Sequence, residues 1–436
     1  KFDPTKSDSF MDPLSFNADG SPVDTSLMVG DIIREPYAGQ HFYDGIIQHF
    51  EAQGYLQNED LFVFPYDWRQ DIAKTAYNEQ EQQLPPEQRK DLASKIDQIL
   101  QSTGASQVNI VAHSQGGLVA KRLLFDKPNY QTKVNKLILV GVPSLGSPQA
   151  AKNLLYGDTL GISFKRKDIK IGQLDPEEIK KIAQNMPAVY QLLPSQSYFI
   201  RQPLGYIYDN NLFYLSTSQK TSGYLKQKGL NNSLIDQANN FHTYNFDNFD
   251  FSSTGVETYN IVGCEQGTLG TLVIKSNSDK PNMRFTAGDG TVPLDSAKQV
   301  AGAINYYIQG GIEHSKMLST PTIKSLVSNI IIGVDEQIPN VVTNLSQCHF
   351  NGTQLTIQSP VELDIYDENG NHIGISDDES NPFVNLGVLG SQYAEIGHNK
   401  FAYLPNGHTY SVKLTATGPG SFTFDSAVIQ EGVITN

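Results

Sequence analysis

Cysteine is almost absent: Cys264 and Cys348 are the only two in 436 residues. They fall in segments that read as different domains and have no metal-site spacing, so a disulfide framework is not expected and both read as buried, unreactive thiols. Long apolar runs are missing as well. No stretch approaches the ~20 apolar residues of a spanning helix, and the longest, around Ile330 to Ile332, is far shorter. The start, K-F-D-P-T-K-S-D, lacks the apolar core of a signal peptide, as a mature exported chain also would; the expected location is extracytoplasmic. Positive charge is scarce. Asp plus Glu number 46 against 32 Lys plus Arg, a formal charge of -14, which argues against a nucleic-acid partner, and no basic tract suits an anionic membrane surface. What remains is an ordinary globular composition, 39% hydrophobic and 18% charged, in a chain long enough for about two domains.

Strand and helix signals alternate over the first three quarters, which predicts a mostly parallel sheet covered on both faces. Phe42, Tyr43, Ile46, Ile47 and Phe50 form one helical face ending near Gly54. Leu61 to Pro65 (L-F-V-F-P) reads as a buried strand. A helix with Leu92, Ile96, Ile99 and Leu100 on one stripe follows Pro85-Pro86 and closes at Gly104. Lys136 to Val142 and Thr258 to Cys264 read as buried strands. The segment between them far exceeds the dozen or so residues that a crossover needs, so it is an insertion.

That insertion has a helix opened by Asp175 and Pro176, and it is rich in aromatics, among them Tyr198, Phe199, Tyr206, Tyr208, Phe213, Tyr214, Phe241, Tyr244, Phe246, Phe249 and Phe251. They form a small cap with its own core, a lid over an apolar substrate, or both. Beyond Gly333 strict alternation takes over in Val361 to Asp367 and Tyr410 to Ala416, with Asn369-Gly370 and Asn406-Gly407 as hairpin turns. The expected division is residues 1–334 as an α/β unit, with core 25–145 and 256–334 and insertion about 146–255, followed by a β-sandwich over 340–436. Asp367, Asp377, Asp378 and Glu379 read as solvated turn carboxylates rather than a calcium site.

The chemistry sits at Val108 to Gly117, V-N-I-V-A-H-S-Q-G-G. A short apolar strand runs into a turn of small residues with Ser114 at its apex, then into a helix striped by Leu118, Val119, Leu123 and Leu124. This is the layout of a nucleophile elbow, with Ala112 and Gly116 kept small between strand and helix. A serine hydroxyl needs a base and a carboxylate to orient that base. In this arrangement they follow in the order Ser, Asp or Glu, His, each on a loop after a later strand. Asp289, in A-G-D-G-T-V-P, and His314, in G-G-I-E-H-S beyond the strand Ala303 to Ile308, meet that requirement. The other eight histidines precede the serine, adjoin it, or lie in the insertion or the terminal sandwich. A triad of this kind calls for no cofactor and no metal.

The strings F-P-Y-D-W-R (Phe64 to Arg69), A-H-S-Q-G-G (Ala112 to Gly117), N-M-P-A-V-Y-Q-L-L-P (Asn185 to Pro194), G-D-G-T-V-P (Gly288 to Pro293) and E-H-S (Glu313 to Ser315) resemble the lecithin:cholesterol acyltransferase family over roughly residues 25 to 330. The resemblance implies an α/β-hydrolase core, Ser114, Asp289 and His314 as triad, and a cap over an acyl-chain site. It also places Trp68 near the pocket, as a buried structural aromatic or as a wall for substrate. The oxyanion would take one N–H from Gln115 and a second from a Gly-rich loop after an early strand. No such loop occurs in the polar, turn-rich Lys1 to Gly30, so either an early strand is missing or another segment substitutes. The expected function is a serine hydrolase or acyltransferase acting on lipid esters, with peripheral lipid-surface contact through the cap. Its rivals are a catalytically weak or inactive binding protein of this fold and a small-ester hydrolase.

Overall fold

The computed structural model describes residues 8–32, 34, 42–158, 176–201, 207–209, 213–214, 217–274, 281–358, 360–376 and 384–435. The helical face read at Ile46, Ile47 and Phe50 is α1 (Asp44–Ala52), and all three side chains are buried. The stripe after Pro85-Pro86 is α2 (Leu92–Thr103). Asp91 caps it through Ser94 N, and Gly104 ends it at φ 72°, a left-handed backbone that favours glycine.

Strands β1 (Val108–His113), β2 (Val134–Val140), β3 (Glu257–Gly263), β4 (Gln266–Ile274), β5 (Asn282–Gly288), β6 (Ile304–Ile308) and β7 (Val341–Val342) follow in chain order. Five of them form the core sheet in the order β1-β2-β3-β6-β7, parallel except for the edge strand β7. Helix α3 (Gln115–Asp126) follows β1 and buries Leu118, Val119, Leu123 and Leu124. This is the α/β-hydrolase architecture, with the β4–β5 hairpin set outside the parallel core sheet.

Leu61 to Pro65 departs from the strand reading. The segment is extended and half-buried, and Leu61 and Val63 pack on one apolar cluster while Phe64 joins another. Its backbone makes only an isolated bridge, Gln57 to Leu61, among the described residues. Strand-like composition fixed the alternation of its side chains, but a ladder requires a neighbouring strand at the right edge.

The insertion leaves after β2 and returns at β3. It includes α4 (Pro148–Tyr156), α5 (Pro176–Ala183), α6 (Ser218–Gln227) and α7 (Asn232–Phe241). Tyr198 and Phe199 are buried in one cluster with Leu154 and Leu234, whereas Phe241, Phe246 and Phe251 are buried in another with Leu118 and Leu123 of α3. Tyr244 is 71% exposed, whereas Asp175, Tyr206 and the side chains of Tyr208, Phe213 and Tyr214 lie outside the described residues. Two short strands of the insertion, Ile207–Asp209 and Phe213–Tyr214, extend the β4–β5 hairpin into a four-stranded sheet. Helix α8 (Pro321–Ile332) then covers the core sheet and stops at Gly333.

The tail holds β8 (Gly352–Gln358), β9 (Val361–Tyr366), β10 (His372–Ile375), β11 (Val384–Leu386), β12 (Gln392–Ile396), β13 (Asn399–Pro405), β14 (Ser411–Ala416), β15 (Thr423–Gln430) and β16 (Val433–Thr435). They make two antiparallel sheets, β12-β13-β8-β15-β16 and β11-β10-β9-β14. Asn369-Gly370 turns the β9–β10 hairpin as expected. Asn406-Gly407 does not turn a hairpin, because β13 and β14 belong to different sheets and the turn carries the chain from one to the other. Asp367 spends its carboxylate on Asn369 N, Asn371 N and Asn371 Nδ2, with Glu368 and His408 nearby; Asp377, Asp378 and Glu379 lie outside the described residues.

The cysteine reading is corrected. Cys264 and Cys348 form a disulfide with Cα atoms 6.0 Å apart, tying the end of β3 to the approach to the sandwich. A separation of 84 residues hides the pairing from spacing arguments, since only the fold brings the two ends together. A single apolar cluster also runs from the insertion (Leu154, Tyr190, Leu234) through the β4–β5 hairpin (Leu269, Phe285) into the sandwich (Phe401, Tyr403, Ile429).

Candidate active site

Ser114 sits between β1 and α3 at φ 54° and ψ -131°, a strained backbone for a residue with a side chain. Two bonds hold it there: its N–H donates to Val140 O at 2.9 Å, and its carbonyl accepts Gly117 N–H at 2.9 Å. The tight position differs from the one read in the sequence. A Cβ on Gly116 would meet nothing nearer than the Tyr66 hydroxyl at 3.7 Å, whereas one on Gly117 would lie 2.1 Å from Val142 Cγ2. Gly117 is therefore the residue that lets α3 close onto the chain leaving β2.

His314 opens the short 3-10 turn His314–Ser319 beyond β6, and Asp289 follows β5. The structure brings both to the serine. His314 Nε2 is 2.8 Å from Ser114 Oγ, and His314 Nδ1 is 2.8 Å from Asp289 Oδ2. With the ring proton on Nδ1, donated to the carboxylate, Nε2 is free to accept the serine proton. The Asp289 side chain is 1% exposed, and its other oxygen accepts Thr291 N–H and Val292 N–H at 3.0 and 2.8 Å. Those amides satisfy a buried carboxylate and fix its direction. The backbones are joined too, His314 N–H donating to Asp289 O at 2.7 Å.

Glycines at the ends of β2 and β3 make room for this pair. A Cβ on Gly141, at φ 57°, would lie 2.7 Å from Met317 Sδ, 3.0 Å from Asp289 Oδ2 and 3.2 Å from His314 Nδ1. One on Gly263 would lie 2.8 Å from Asp289 Cβ.

His113 contributes more than its place beside the nucleophile suggested. Its Nε2–H donates to His314 O at 2.9 Å, which leaves Nδ1 to accept from the Tyr43 hydroxyl at 3.2 Å. Its ring centroid is 4.6 Å from that of His314. Burial, reinforced by the nearby His314, pushes its pKa down to about 3, so it stays neutral beside the His314 ring. The clue available in the sequence was its position one residue before Ser114; the bond to a backbone 201 residues away was not. By contrast His242 is fully engaged elsewhere, with Nδ1 on Asp247 Oδ1 at 2.7 Å and Nε2 on Gln191 O at 2.9 Å. It borders a cap cavity of about 220 Å³ that none of the three site residues lines.

Gln115 is the first residue of α3, where a backbone N–H has no partner within the helix. Its side chain ties the elbow to the preceding loop, Nε2 donating to Trp68 O at 3.0 Å. Trp68 itself is 50% exposed, which rules out the buried structural reading. No described strand precedes β1, and the Gly-rich second-donor loop has no counterpart among the described residues.

Residues 32–270, more than half of the chain, match the sequence pattern described as lecithin:cholesterol acyltransferase. The chain is 23% identical over 296 residues to phospholipase A(1) LCAT3 of Arabidopsis thaliana, covering 59% of this chain and 62% of that protein, so the match spans less than two thirds of the relative's length. It is 24% identical over 313 residues to the lysosomal phospholipase A and acyltransferase of Canis lupus familiaris, covering 68% of each. Among solved structures, the Tle4–Tli4 complex has a chain of 18% identity and TM-score 0.42, covering 61% of this chain and 66% of that one.

Proposed function

The chain belongs to the lecithin:cholesterol acyltransferase family, and from that premise we propose that it is a serine esterase of lipid esters, with phospholipids as the substrate class. The observation that carries this reading is the continuous hydrogen-bonded chain Ser114–His314–Asp289 on a strained elbow. His314 Nε2 takes the hydroxyl proton as Ser114 Oγ attacks the ester carbonyl. Asp289 holds the imidazolium that forms, and the Gln115 N–H faces the oxyanion. Collapse expels the alcohol, which leaves with the proton returned by His314, and an acyl group remains on Ser114. Water, or a second alcohol, then takes the acyl group by the same steps in reverse. Nothing in this cycle needs a metal or cofactor.

In the same reading Trp68, half-exposed beside the elbow, lines the entrance for the acyl chain. The insertion acts as cap and lid, with exposed Ile200 and Tyr244 contacting a lipid surface, and residues 340–436 form an accessory unit. An extracytoplasmic location is supported by the disulfide, which persists in oxidising compartments. No described helix is long and apolar enough to cross a membrane.

The test is covalent labelling. A fluorophosphonate should modify the folded protein and not Ser114→Ala; a folded protein that stays unlabelled ends the enzyme reading. A chain-length series of nitrophenyl esters beside phospholipid vesicles then tests the substrate class, and preference for acetate over long acyl chains ends its lipid part.

A further inference from the structure

The turn ahead of β12, at the end of the sandwich nearest the core, touches the loops of both the acid and the base. Gln392 Nε2 donates to Gly290 O at 3.2 Å, one residue after Asp289, while its Oε1 accepts its neighbour Tyr393 N–H. Gly267 N–H donates to Gly390 O at 3.0 Å. Gln266, which is bridged to Asp289 along the backbone, donates its side-chain amide to Ser391 O. On the base side, a Cβ added to Gly311 would lie 2.3 Å from Gly390, so the two backbones are in direct apposition three residues before His314. Glu265 completes the link: its carboxylate accepts Gly310 N–H at 2.6 Å and His349 N–H at 3.0 Å, one from the base loop and one from the approach to the sandwich. Gln266 and Ser391 are buried, so water does not compete for the bond between them.

We propose that the terminal sandwich is a positioning element of the active site, and that Gln392 is its principal positioning residue. The inference rests on the triad assignment made above. Two consecutive peptides are gripped at Gly290: the Asp289–Gly290 N–H donates to Thr268 Oγ1 at 2.8 Å, and the Gly290–Thr291 carbonyl accepts from Gln392 while its own N–H donates to Asp289 Oδ1 at 3.0 Å. Because Gly290 sits at φ 93°, it has the backbone freedom to swing once either grip is lost. Asp289 would swing with it. A shift of this kind moves the carboxylate relative to His314 Nδ1 without touching substrate, so it reduces the rate of the chemical step and leaves binding alone.

The experiment uses the full chain with Gln392→Ala and the isosteric Gln392→Glu, which removes the donor, together with Leu363→Ala in the far sheet as a control for loss of sandwich stability. Four quantities are read: kcat and KM on a soluble nitrophenyl ester, Tm, and the downfield proton resonance of His314 Nδ1–H. Both Gln392 variants should lose roughly 10- to 100-fold in kcat at unchanged KM, and should shift or broaden the His314 resonance. Leu363→Ala should lower Tm and leave kcat and the resonance in place. Full kcat and an unmoved resonance in the Gln392 variants would overturn the proposal, as would an equal kcat loss in Leu363→Ala. The histidine resonance does not depend on turnover. It decides the positioning role even for a protein that fluorophosphonate fails to label, and that failure would count against the esterase reading alone.

Discussion

Gly141→Ala puts the proposed acid–base pair, Asp289 and His314, under direct steric load. The new Cβ would enter a left-handed backbone at φ 57°, which costs about 1–2 kcal/mol for a residue with a side chain. It would also meet Met317 Sδ at 2.7 Å, a contact relieved by rotating a flexible side chain. The contacts at 3.0 Å to Asp289 Oδ2 and 3.2 Å to His314 Nδ1 are harder to relieve. Asp289 is held by two amides, so the ring or the loop that bears it must retreat by a few tenths of an ångström. The expected total is about 2–4 kcal/mol of lost stability, from backbone strain plus overpacking. It comes with roughly a hundredfold loss of kcat as the 2.8 Å bond is bent or stretched. Urea unfolding and ester kinetics at a temperature where the variant stays folded separate the two effects. A variant that is less stable by this amount yet keeps its full kcat would refute the claim that Gly141 is there to admit the acid–base pair.

Three further outcomes follow from the same packing. Gly117→Ala should destabilise the fold, because its Cβ overlaps Val142, while Gly116→Ala should leave Tm close to unchanged; thermal melts that rank them the other way contradict the packing at the elbow. His113 has its folded pKa depressed to about 3, so the unfolded chain binds a proton first, and its contribution to stability, full above about pH 6.5, is lost as pH falls towards 3. Replacing it by Gln should flatten the acid limb of the stability–pH curve by up to roughly 1.4 kcal/mol per pH unit, and an unchanged slope would show that another group dominates there. Cys348→Ser should cost about 2–4 kcal/mol, given the long loop that the disulfide closes; equal urea midpoints with and without reductant would argue that the bond does not constrain the unfolded chain.

What could be read from the sequence was what depends on near neighbours. The elbow, α1 and α2 follow from local apolar spacing and caps, and the order Ser114, Asp289, His314 follows from strand-by-strand reading of the α/β pattern. Contacts that depend on the finished fold were not legible. Leu61 to Pro65 has strand composition, yet pairing depends on what lies beside it. Gly117 rather than Gly116 carries the close approach because Val142 comes from a different segment. The Cys264–Cys348 bond, the grip of His113 on the His314 carbonyl and the reach of Gln392 to Gly290 all join residues more than eighty positions apart. Periodicity, capping and motif spacing do not report such distances.

Among the described residues β1 is laddered along one side only, to β2, although it is the strand that delivers Ser114. Amides of such a strand open to solvent in smaller fluctuations than those of β2 or β3, which have neighbours on both sides. The elbow's unfavourable torsion relaxes as soon as that opening reaches it. Catalytic competence should therefore disappear at lower denaturant than the helical signal does, with deuterium entering Val108–His113 ahead of the strands deeper in the sheet.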